Sequence, residues 1–570
     1  MLACVAPLLL AACGAPTDRA GLPTDADREA VVAERHMVSA AHPAAVEAGL
    51  EVLRAGGTAM DAAVAVQMVL GLVEPAESGI GGGGFLLHYS AASGEVSFYD
   101  GREAAPQAAA TDRFLVFGRP LPLWAAVPGG RAIGVPGLVS MLELAHDDHG
   151  RLPWAPLLAP AKRLASEGVD MPGRLQRQLD TDRTLRMFGD MRRAFHRQAR
   201  GESPRLVNLP LAATLDILAE AGPRAFYEGP IAEALVERAR TPVLWSGDLT
   251  VDDLAAYEAR RREAVCADYR QWRICGAAPP SSGGIAVLQI LGMLEHFDIA
   301  ALDPGSATAA HLVAEAGRLA FADRARHVGD PDHVDVPIDA LLDRGYLARR
   351  AALIDTDTAR ERAPAGEPPA VADPDRARRA VPGPGRGTSH FSIVDAEGNA
   401  VALTSSNEAP FGSRMMSGGF VLNNQLTDFD FAGDTEGHDG PNLIAPGKRP
   451  RSSMSPVLVF DADDELRLVL GSRGGSRIIG YVAHTLLAVL DWELDVQQAI
   501  SLPRILHRGA VLELEAGTPA AELRGELMAR GHAVAVHALT SGLHGIEPAP
   551  GGGWRGGADP RLDGVAAGDD

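Results

Sequence analysis

The sequence predicts an α+β protein, in which a largely helical N-terminal part precedes a strand-rich C-terminal part. Over residues 42–73 and much of 130–330, alanine, valine and leucine recur every three or four residues, which is typical of amphipathic helices. After residue 388 the apolar residues occur in short alternating runs, and helices return near 478–489 and 496–500. The predicted strands are 85–90, 96–100, 389–394, 400–405, 419–422, 457–460 and 466–470.

Composition narrows the class of protein. The chain has 570 residues, with 53 Lys and Arg against 74 Asp and Glu, a formal net charge of -21, and 46% hydrophobic residues. These fractions are those of a globular chain and exclude wholesale disorder. The acidic charge argues against nucleic acid as a partner, because binding to phosphates requires a basic surface.

The N-terminal residues predict an exported lipoprotein. Residues 1–12 are apolar and small, and the triplet LAA precedes Cys13, as in the lipobox of bacterial lipoproteins. We expect a signal peptide at 1–12, lipidation of Cys13, a polar tether at 13–32, and a periplasmic protein attached to a membrane through the lipid alone. An ordinary cleaved signal peptide is the alternative, and no Lys or Arg precedes the apolar run.

Cys266 and Cys275 lie in the stretch VCADYRQWRICG, whose alternating apolar residues predict a β-hairpin. The two cysteines are equidistant from the middle of the hairpin, so they could face each other across the strands and form a disulfide. An exported protein would meet the oxidising conditions that a disulfide needs. Two buried free thiols are the alternative. A zinc site would need two further ligands, and none is nearby, so neither a metal nor a cofactor is expected.

A run of glycines at residues 81–84 follows the first helices. In isolation such a run suggests a phosphate-binding loop, but its spacing differs from that of a dinucleotide fingerprint. We interpret it as a place where the backbone packs closely against the central sheet. The sequence also lacks G-x-S-x-G and H-E-x-x-H patterns, so serine hydrolases of the elbow type and zincins lose their main signals.

Residues 355–387 are rich in Pro, Gly, Asp, Arg and Ala and predict an exposed or mobile segment. A strand follows at once, beginning with Gly387 and Thr388. If the bond between these two residues were cut, Thr388 would carry both a hydroxyl and a free α-amine, whose ordinary pKa of about 7.7–8.0 suits a base near neutral pH. A terminal amine can activate a weak hydroxyl nucleophile in this way. Taken alone, a Gly-Thr step is more often a plain strand start.

The motifs around Thr388 indicate which protein family the chain resembles. They are LVEPAESGIGGGGFLLHYS, FYDGREAAP, APPSSGG, GRLAFADRARHVGDPD, GTSHFSIVDAEGNAVALTSSNEAPFGS, LNNQLTDFDF, GKRPRSSMSP, GSRGGSRI and ADPR. In these stretches, and in their order along residues 33–563, the chain resembles the γ-glutamyltranspeptidase family. Several of the stretches are too long and too unusual for a chance match.

The resemblance implies a four-layer αββα sandwich of the N-terminal-nucleophile hydrolase type, built from the two chains of one self-cleaved precursor. Cleavage between Gly387 and Thr388 would leave a large subunit, residues 33–387 with a mobile tail at 354–387, and a small catalytic subunit, residues 388–570. The two would stay together as a heterodimer. Thr388 would attack a γ-glutamyl amide such as glutathione, and water or the amine of an amino acid or peptide would resolve the γ-glutamyl enzyme.

The resemblance also implies roles for individual residues. Ser406 matches a hydroxyl residue, usually threonine, that hydrogen-bonds the nucleophile, and Gly474 and Gly475 match the backbone N–H pair of the oxyanion hole. A zwitterionic glutamyl group needs fixed partners of both signs. The matching positions are Arg102, Ser452 and Ser453 for the α-carboxylate, and Gln425, Asp428 and Glu408 for the α-ammonium.

Two further departures from the family pattern bear on activity. Arg473 stands where the family commonly has proline, and a long cation there could narrow the acyl pocket or favour a second carboxylate on the substrate. The loop at 431–446 is shorter than the lid of some members, so water could compete well with transfer.

Two other functions stay open. One is an acylase for other dicarboxylic-acyl amides, such as glutaryl β-lactams, which Gln425 and Asp428 disfavour because such a group lacks the ammonium. The other is a lipid-anchored binding protein that has lost processing.

Overall fold

The computed structural model describes residues 28–241, 244–369, 387–432 and 440–570. The predicted signal peptide, Cys13, most of the tether and much of the predicted tail lie outside the described residues, as does part of the predicted lid. Those expectations therefore stay predictions. Within the described ranges, no helix combines the length and the apolar character that crossing a lipid bilayer requires.

Helices and strands alternate irregularly along the described chain. The strands are β1 (Val31–Ala33), β2 (His36–Ala40), β3 (Gly83–Tyr89), β4 (Val96–Gly101), β5 (Leu115–Val116), β6 (Arg119–Pro120), β7 (Val169–Asp170), β8 (Arg205–Leu206), β9 (Arg260–Arg262), β10 (Val265–Tyr269), β11 (Trp272–Gly276), β12 (Gly387–Val394), β13 (Ala400–Glu408), β14 (Met416–Ser417), β15 (Phe420–Val421), β16 (Val457–Phe460), β17 (Leu466–Gly471), β18 (Ile505–His507), β19 (Leu512–Glu515), β20 (Val534–His537), β21 (His544–Pro548), β22 (Trp554–Ala558) and β23 (Val565–Asp569). The α-helices are α1 (Pro43–Arg54), α2 (Ala59–Val73), α3 (Leu123–Ala126), α4 (Leu138–His149), α5 (Trp154–Leu157), α6 (Ala159–Glu167), α7 (Gly173–Thr181), α8 (Gly189–Met191), α9 (Leu209–Ala221), α10 (Pro230–Arg240), α11 (Val251–Ala255), α12 (Gly283–Leu294), α13 (Ala307–His327), α14 (Ile338–Leu341), α15 (Arg344–Ala351), α16 (Ile478–Leu490), α17 (Val496–Ser501) and α18 (Arg524–Ala529).

Two large sheets form the centre of the molecule. The first sheet has the strand order β23-β2-β12-β13-β3-β4-β9, and the second has the order β1-β22-β21-β17-β16-β11-β10. All neighbouring strands in both sheets are antiparallel. Each sheet contains strands from both sides of the Gly387–Thr388 bond. A cut at that bond would therefore leave neither predicted subunit with a complete sheet, which favours a heterodimer that stays together.

The alternation of side chains along the strands separates two cores. In β3, Leu86 points into a core shared with α1, α2 and α4, whereas Phe85 and Leu87 point toward the second sheet. Helices α12, α13 and α16 pack with the second sheet and complete the other core. The order helix, sheet, sheet, helix confirms the predicted four-layer αββα sandwich.

The local sequence explains the central elements. Helix α2 consists mostly of Ala, Val, Leu and Met, is buried almost throughout, and begins with a capping box between Thr58 and Asp61. Every residue of β12 and β13 is buried, as expected for strands that are covered on both faces. Strand β12 therefore holds Thr388 near the middle of the fold.

The other predicted elements agree with the structure to different degrees. Helices α16 and α17 cover the two helices predicted in the C-terminal part, whereas the predicted strand at 419–422 shortens to Phe420–Val421. Strands β20 to β23 were not predicted. The predicted hairpin forms from β10 and β11, with Cys266 directly opposite Cys275 and their sulfur atoms 2.09 Å apart. This placement agrees with the predicted disulfide, and its formation in the purified protein stays a prediction.

Candidate active site

Thr388 is the second residue of β12 and is buried where β12 meets β13. Its Oγ1 lies 3.3 Å from the Oγ of Ser406, the residue that the resemblance pairs with it. The Ser406 hydroxyl donates to the carbonyl oxygen of Gly387 at 2.5 Å. One hydroxyl group thus contacts both the predicted nucleophile and the carbonyl of the bond that is predicted to break.

A β-bulge at the start of β12 brings these groups together. Thr388 pairs with Ser406, but Gly387 pairs with Glu408, so Asn407 has no partner in the ladder. At Gly387 a Cβ atom would lie 2.6 Å from the carbonyl oxygen of Glu408, so the close approach needs glycine. Glu408 has a positive φ of 76°, which is rare outside glycine. The ladder is therefore bent at the bond that precedes Thr388.

Below Thr388 lies a group of charged side chains that are almost inaccessible to solvent. We call it the floor cluster, and it consists of Glu74, Glu77, Arg174 and Arg473. The backbone N–H of Thr388 donates to Oε2 of Glu77 at 3.1 Å. Glu77 also accepts hydrogen bonds from Arg473 and from Arg174, both at 2.6 Å. The nitrogen of the predicted nucleophile therefore contacts a carboxylate that two guanidinium groups hold in place.

The charges of the floor cluster determine its protonation. Burial alone would raise the pKa of Glu77, but the guanidinium groups of Arg174 and Arg473 hold it below its usual value. Glu74 accepts from the Ser389 hydroxyl at 2.9 Å, and burial together with the neighbouring Glu77 raises its pKa. Glu77 is therefore the fixed negative charge of the cluster.

Arg473 has a different environment from the one that the sequence suggested. Its Nε donates to the carbonyl oxygen of Thr388 at 3.0 Å, and its guanidinium group forms the ion pair with Glu77. Burial lowers the pKa of Arg473. The cation thus contacts the backbone of Thr388 and the carboxylate of Glu77. Its predicted effect on the acyl pocket or on a second substrate carboxylate stays a prediction.

The predicted glutamyl pocket contains a cation and an anion in contact. Arg102 follows β4, and its Nη2 lies 2.5 Å from Oδ2 of Asp428, in the 3₁₀ turn Gln425–Asp428. Gln425 Nε2 donates to the same oxygen at 2.6 Å. Nε of Arg102 donates to the carbonyl oxygen of Pro450 at 2.9 Å, which fixes the guanidinium plane. The structure therefore brings three of the predicted pocket residues together.

Glu408 adds a second carboxyl group next to this pair. Burial, and then the nearby Asp428 carboxylate, raise the pKa of Glu408 to about 8. Its Oε2 accepts hydrogen bonds from Nδ2 of Asn424 and from the Thr427 hydroxyl, the latter at 3.3 Å. We therefore expect Glu408 to carry its proton at neutral pH, next to the ion pair between Arg102 and Asp428.

Ser452 and Ser453 are connected by an arginine that was not predicted. Nη2 of Arg324 donates to Oγ of Ser453 at 2.9 Å, and its Nε donates to Oγ of Ser282 at 2.6 Å. The Ser282 hydroxyl donates in turn to the carbonyl oxygen of Ser452 at 2.6 Å. Among the described residues, no carboxylate forms an ion pair with Arg324. Burial lowers the pKa of Arg324, and Arg451 adds to this effect.

Gly474 and Gly475 connect β17 to the 3₁₀ turn Gly475–Arg477 that precedes α16. Their φ angles of 135° and 59° favour glycine. At Gly474 a Cβ atom would also lie 2.7 Å from the ring of Tyr481. The side chain of the preceding residue, Arg473, reaches the carbonyl oxygen of Thr388, so this loop lies within the length of one arginine side chain of Thr388. The role of the two glycines in an oxyanion hole stays a prediction.

The glycine run at 81–84 packs against the strands of the site. A Cβ atom would lie 2.1 Å from the carbonyl oxygen of Val421 at Gly81, and 2.2 Å from that of Ser406 at Gly82. The interpretation of this run as close backbone packing is confirmed.

Four charged residues of the site were missed from the sequence: Glu74, Glu77, Arg174 and Arg324. A signal existed for Glu74 and Glu77, because two carboxylates in the apolar and glycine-rich stretch LVEPAESGIGGGG are unusual and need buried partners. No comparable signal marks Arg174 or Arg324, which lie on helices with other arginines.

Comparison with known proteins identifies the family to which the chain belongs. Residues 45–569 match the family model Gamma-glutamyltranspeptidase. The chain is 36% identical over 554 residues to the glutathione hydrolase proenzyme of Escherichia coli (strain K12), which covers 94% of this chain and 92% of that protein. It is 33% identical over 553 residues to the acylase ACY 1 proenzyme of Pseudomonas sp. (strain V22), and the match covers 95% of this chain and 94% of that protein. The crystal structure of cephalosporin acylase from Bacillus halodurans gives a TM-score of 0.81 at 27% identity, over 95% of this chain and 97% of that chain.

These findings, with the αββα sandwich and a threonine that opens a central strand, define an N-terminal-nucleophile hydrolase. Within that class, the chain belongs to the γ-glutamyltranspeptidase family. The similar proteins include several named glutathione hydrolases and others named acylases. The substrate therefore has to be inferred from the pocket.

Proposed function

We propose that this protein is a self-processing γ-glutamyl hydrolase and transferase, which acts on glutathione and other γ-glutamyl amides through a γ-glutamyl ester of Thr388. The arrangement of Arg102, Asp428 and Gln425 carries the proposal. A γ-glutamyl group presents an α-carboxylate and an α-ammonium on one carbon, and a guanidinium beside a carboxylate matches that pair of charges. Binding would exchange the internal ion pair for two pairs with the ligand.

Self-processing would begin at the bond before Thr388. Oγ1 of Thr388 attacks the carbonyl carbon of Gly387, the C–N bond breaks, and the hydroxyl proton moves to the nitrogen, which leaves an ester. Ser406 donates to the attacked carbonyl oxygen and would stabilise the charge that develops there. Water then cleaves the ester, so that Gly387 ends in a carboxylate and Thr388 regains its hydroxyl with a free α-amine.

Turnover would use the new amine as the base. It takes the proton from Oγ1, and the oxygen attacks the γ-carbonyl carbon of the donor. Backbone N–H groups of Gly474 and Gly475 would stabilise the oxyanion, where the loss of one such donor typically costs about 3–4 kcal/mol. The α-amine of Thr388, now protonated, then returns this proton to the leaving amine of the donor. Water or an amino-acid amine then resolves the ester, and no cofactor or metal enters this scheme.

The mass of the purified protein under denaturing, reducing conditions tests processing. We expect two fragments, the smaller beginning at Thr388, and release of nitroaniline from γ-glutamyl-p-nitroanilide. Thr388→Ala should stay one chain and lose turnover, whereas Thr388→Ser keeps a hydroxyl and should retain part of both activities. A folded wild-type chain that stays uncut and inactive would contradict the proposal and support the binding-protein alternative.

An acylase for glutaryl amides is the second candidate, because similar proteins carry acylase names. A glutaryl group has a carboxylate at the same position but no ammonium, so it offers nothing to Asp428. Paired γ-glutamyl and glutaryl anilides discriminate the two functions. We expect a higher kcat/KM for the γ-glutamyl donor, and the reverse order would support the acylase.

Export and lipidation belong to the same proposal. Residues 1–12 with Cys13 would direct the precursor to the periplasmic side of a bacterial membrane, with Cys13 as the lipidated N-terminus. Mass spectrometry of the N-terminal peptide from membranes tests this. A diacylglyceryl adduct on Cys13, lost in Cys13→Ser, is expected. An unmodified mature N-terminus after another residue would indicate an ordinary signal peptide instead.

A further inference from the structure

The nitrogen of Thr388 lies against a built electrostatic site for which the catalytic scheme above has no use. Glu77 Oε2 accepts from this nitrogen at 3.1 Å and from Arg473 at 2.6 Å, so one oxygen joins the two groups. Arg473 also holds the carbonyl oxygen of the same threonine at 3.0 Å. Both backbone polar groups of Thr388 are therefore in contact with one buried ion pair.

We propose that Glu77 and Arg473 are positioning residues, which hold the freed α-amine of Thr388 and set how readily it takes up a proton. The inference rests on the proposed function, because the amine exists only after the Gly387–Thr388 bond is cut. A free amine has two N–H bonds and one lone pair. If one N–H stays on Glu77, the amine is held beside Oγ1 and its lone pair is available to take the hydroxyl proton.

The two residues should act on the amine in opposite directions. The carboxylate of Glu77 favours the ammonium form, whereas the guanidinium of Arg473 disfavours it. An amine that is always protonated cannot act as a base, and a carboxylate alone at 3.1 Å would push it toward that state. Arg473 would counter this effect while it keeps Glu77 in place.

The other charged groups near this pair belong to several elements. They are Glu74, next to Glu77 before β3, Arg174 on α7, and Asp563, which accepts from the backbone N–H of Arg174 at 3.1 Å. Gln178 on α7 donates to Glu77 at 2.7 Å and is uncharged. None of these groups contacts the Thr388 nitrogen directly among the described hydrogen bonds. Glu77 is therefore the group through which the cluster reaches the amine.

Opposite substitutions in the processed enzyme test the inference. The acid limb of the pH profile of kcat/KM for γ-glutamyl-p-nitroanilide reports proton uptake by the base of the free enzyme. Glu77→Gln should move this limb to lower pH, and Arg473→Met should move it to higher pH, each by about one unit, as expected for one neighbouring charge. Glu77→Asp keeps the charge and should leave the limb near its wild-type position, even if kcat falls.

A buried carboxylate elsewhere supplies the matched control. Asp491 accepts from the Tyr269 hydroxyl at 2.5 Å and pairs with Arg270, and none of its described contacts involves Thr388 or the floor cluster. Asp491→Asn should lower the melting temperature and leave the acid limb unchanged. A purely structural role of Glu77 and Arg473 would give the same result as this control.

The outcomes are distinct. If the acid limb of the pH profile does not move in Glu77→Gln and Arg473→Met, or moves in the same direction in both, the inference is overturned while the proposed function stands. If Glu77→Gln does not fold or process, the Arg473→Met limb decides, and an unshifted limb there overturns the inference. A wild-type protein that is not cut at Thr388, or that does not turn over the anilide, would overturn the proposed function and this inference with it.

Discussion

The floor cluster and the glutamyl pocket are two charged regions near the start of β12, and they differ in their exposure to solvent. In the floor cluster the side chain of Glu77 is 1% exposed, and it is bound by two arginines. In the pocket the side chain of Asp428 is 31% exposed and contacts the guanidinium of Arg102, which is itself 1% exposed. A fully buried ion cluster can only orient the protein's own groups. A partly exposed ion pair can instead be replaced by ion pairs with a ligand.

This difference separates two tasks that charged residues perform in one site. A buried ion pair contributes little net stability compared with a well-packed apolar pair, because desolvation offsets most of its attraction, but the loss of one partner alone is strongly destabilising. The melting temperature of each variant therefore has to be measured together with its kinetics. The floor cluster places charge at the backbone nitrogen of Thr388. Under the proposed function, the pocket would offer charge to a substrate. Variants in the pocket should therefore change selectivity between donors, whereas those in the floor cluster should change the pH profile for every donor.

The largest effect should come from breaking the pocket at Asp428. We expect Asp428→Asn to lower kcat/KM for γ-glutamyl-p-nitroanilide by about 100-fold, because Asp428 is partly exposed and the loss of such a charge partner lies near the lower end of the range of about 2–5 kcal/mol. The glutaryl anilide should lose much less, since it has no ammonium and Arg102 would be released toward its carboxylate. Asp430→Asn removes a charge two residues away and serves as the control. Equal losses for both donors would contradict the assignment of Asp428.

Substitution of Arg324 should have a smaller effect on kinetics, because Arg324 contacts Ser453, which is predicted to bind the substrate's α-carboxylate. Its hydrogen bond to the oxygen of Ser453 leaves the proton of that hydroxyl available to a substrate carboxylate. We expect Arg324→Met to raise KM by about ten- to a hundredfold for both γ-glutamyl and glutaryl donors, in line with hydrogen bonds to charged groups. A 4-aminobutyryl anilide, which lacks the carboxylate, should be affected least.

Arg324→Lys separates charge from geometry at this position. It keeps the positive charge but loses the planar fork that reaches Ser282 and Ser453 together. We expect an intermediate KM. A KM for the 4-aminobutyryl donor that rises as much as the others would show that Arg324 acts on the fold and not on carboxylate binding.

A pH-dependent effect is expected at Glu408. Burial and the neighbouring Asp428 raise its pKa to about 8, so it is neutral at pH 6 and ionises as the pH rises through 8. Glu408→Gln mimics the neutral form. The ratio of wild-type to variant kcat/KM for the γ-glutamyl donor should therefore be near one at pH 6 and rise to about ten at pH 9, if the added carboxylate attracts the donor's ammonium by about 1.4 kcal/mol, the energy of one pKa unit. The glutaryl donor should show no such rise, and a flat ratio for both would contradict the role.

The sequence predicted the pocket better than the floor, and the reason is physical. Arg102, Gln425, Asp428 and Glu408 lie in motifs that the resemblance to the family singled out, and the structure brings Arg102, Gln425 and Asp428 into contact. Glu77 and Arg473 are far apart in the chain and meet only in the fold, where they form an ion pair and each contacts the backbone of Thr388. Arg473 therefore looked like a departure in the acyl pocket, whereas the fold pairs it with a glutamate.

The same reasoning applies to the fold. The alternating strands of the C-terminal part and the helical period of the N-terminal part predict an α+β protein. The αββα order of the layers was implied only by the resemblance to the family. Strands β20 to β23 escaped prediction, since stretches such as WRGGA and VAAGD contain small residues that pack beneath other elements without a hydrophobic alternation. Their place in the sheets is set by tertiary contacts alone.

The smallest kinetic effect is expected at the hairpin of Cys266 and Cys275, which lies at the edge of the second sheet, outside both charged regions. If the disulfide forms, mass spectrometry under non-reducing conditions should show the two cysteines blocked to alkylation. Cys266→Ser with Cys275→Ser should then lower the melting temperature by about 2–4 °C, because a short closed loop contributes about 2–3 kcal/mol. Neither donor selectivity nor the acid limb should change. A shift in either quantity would mean that strain in the second sheet reaches Thr388 through β17, and the two charged regions would then be coupled through the fold instead of acting separately.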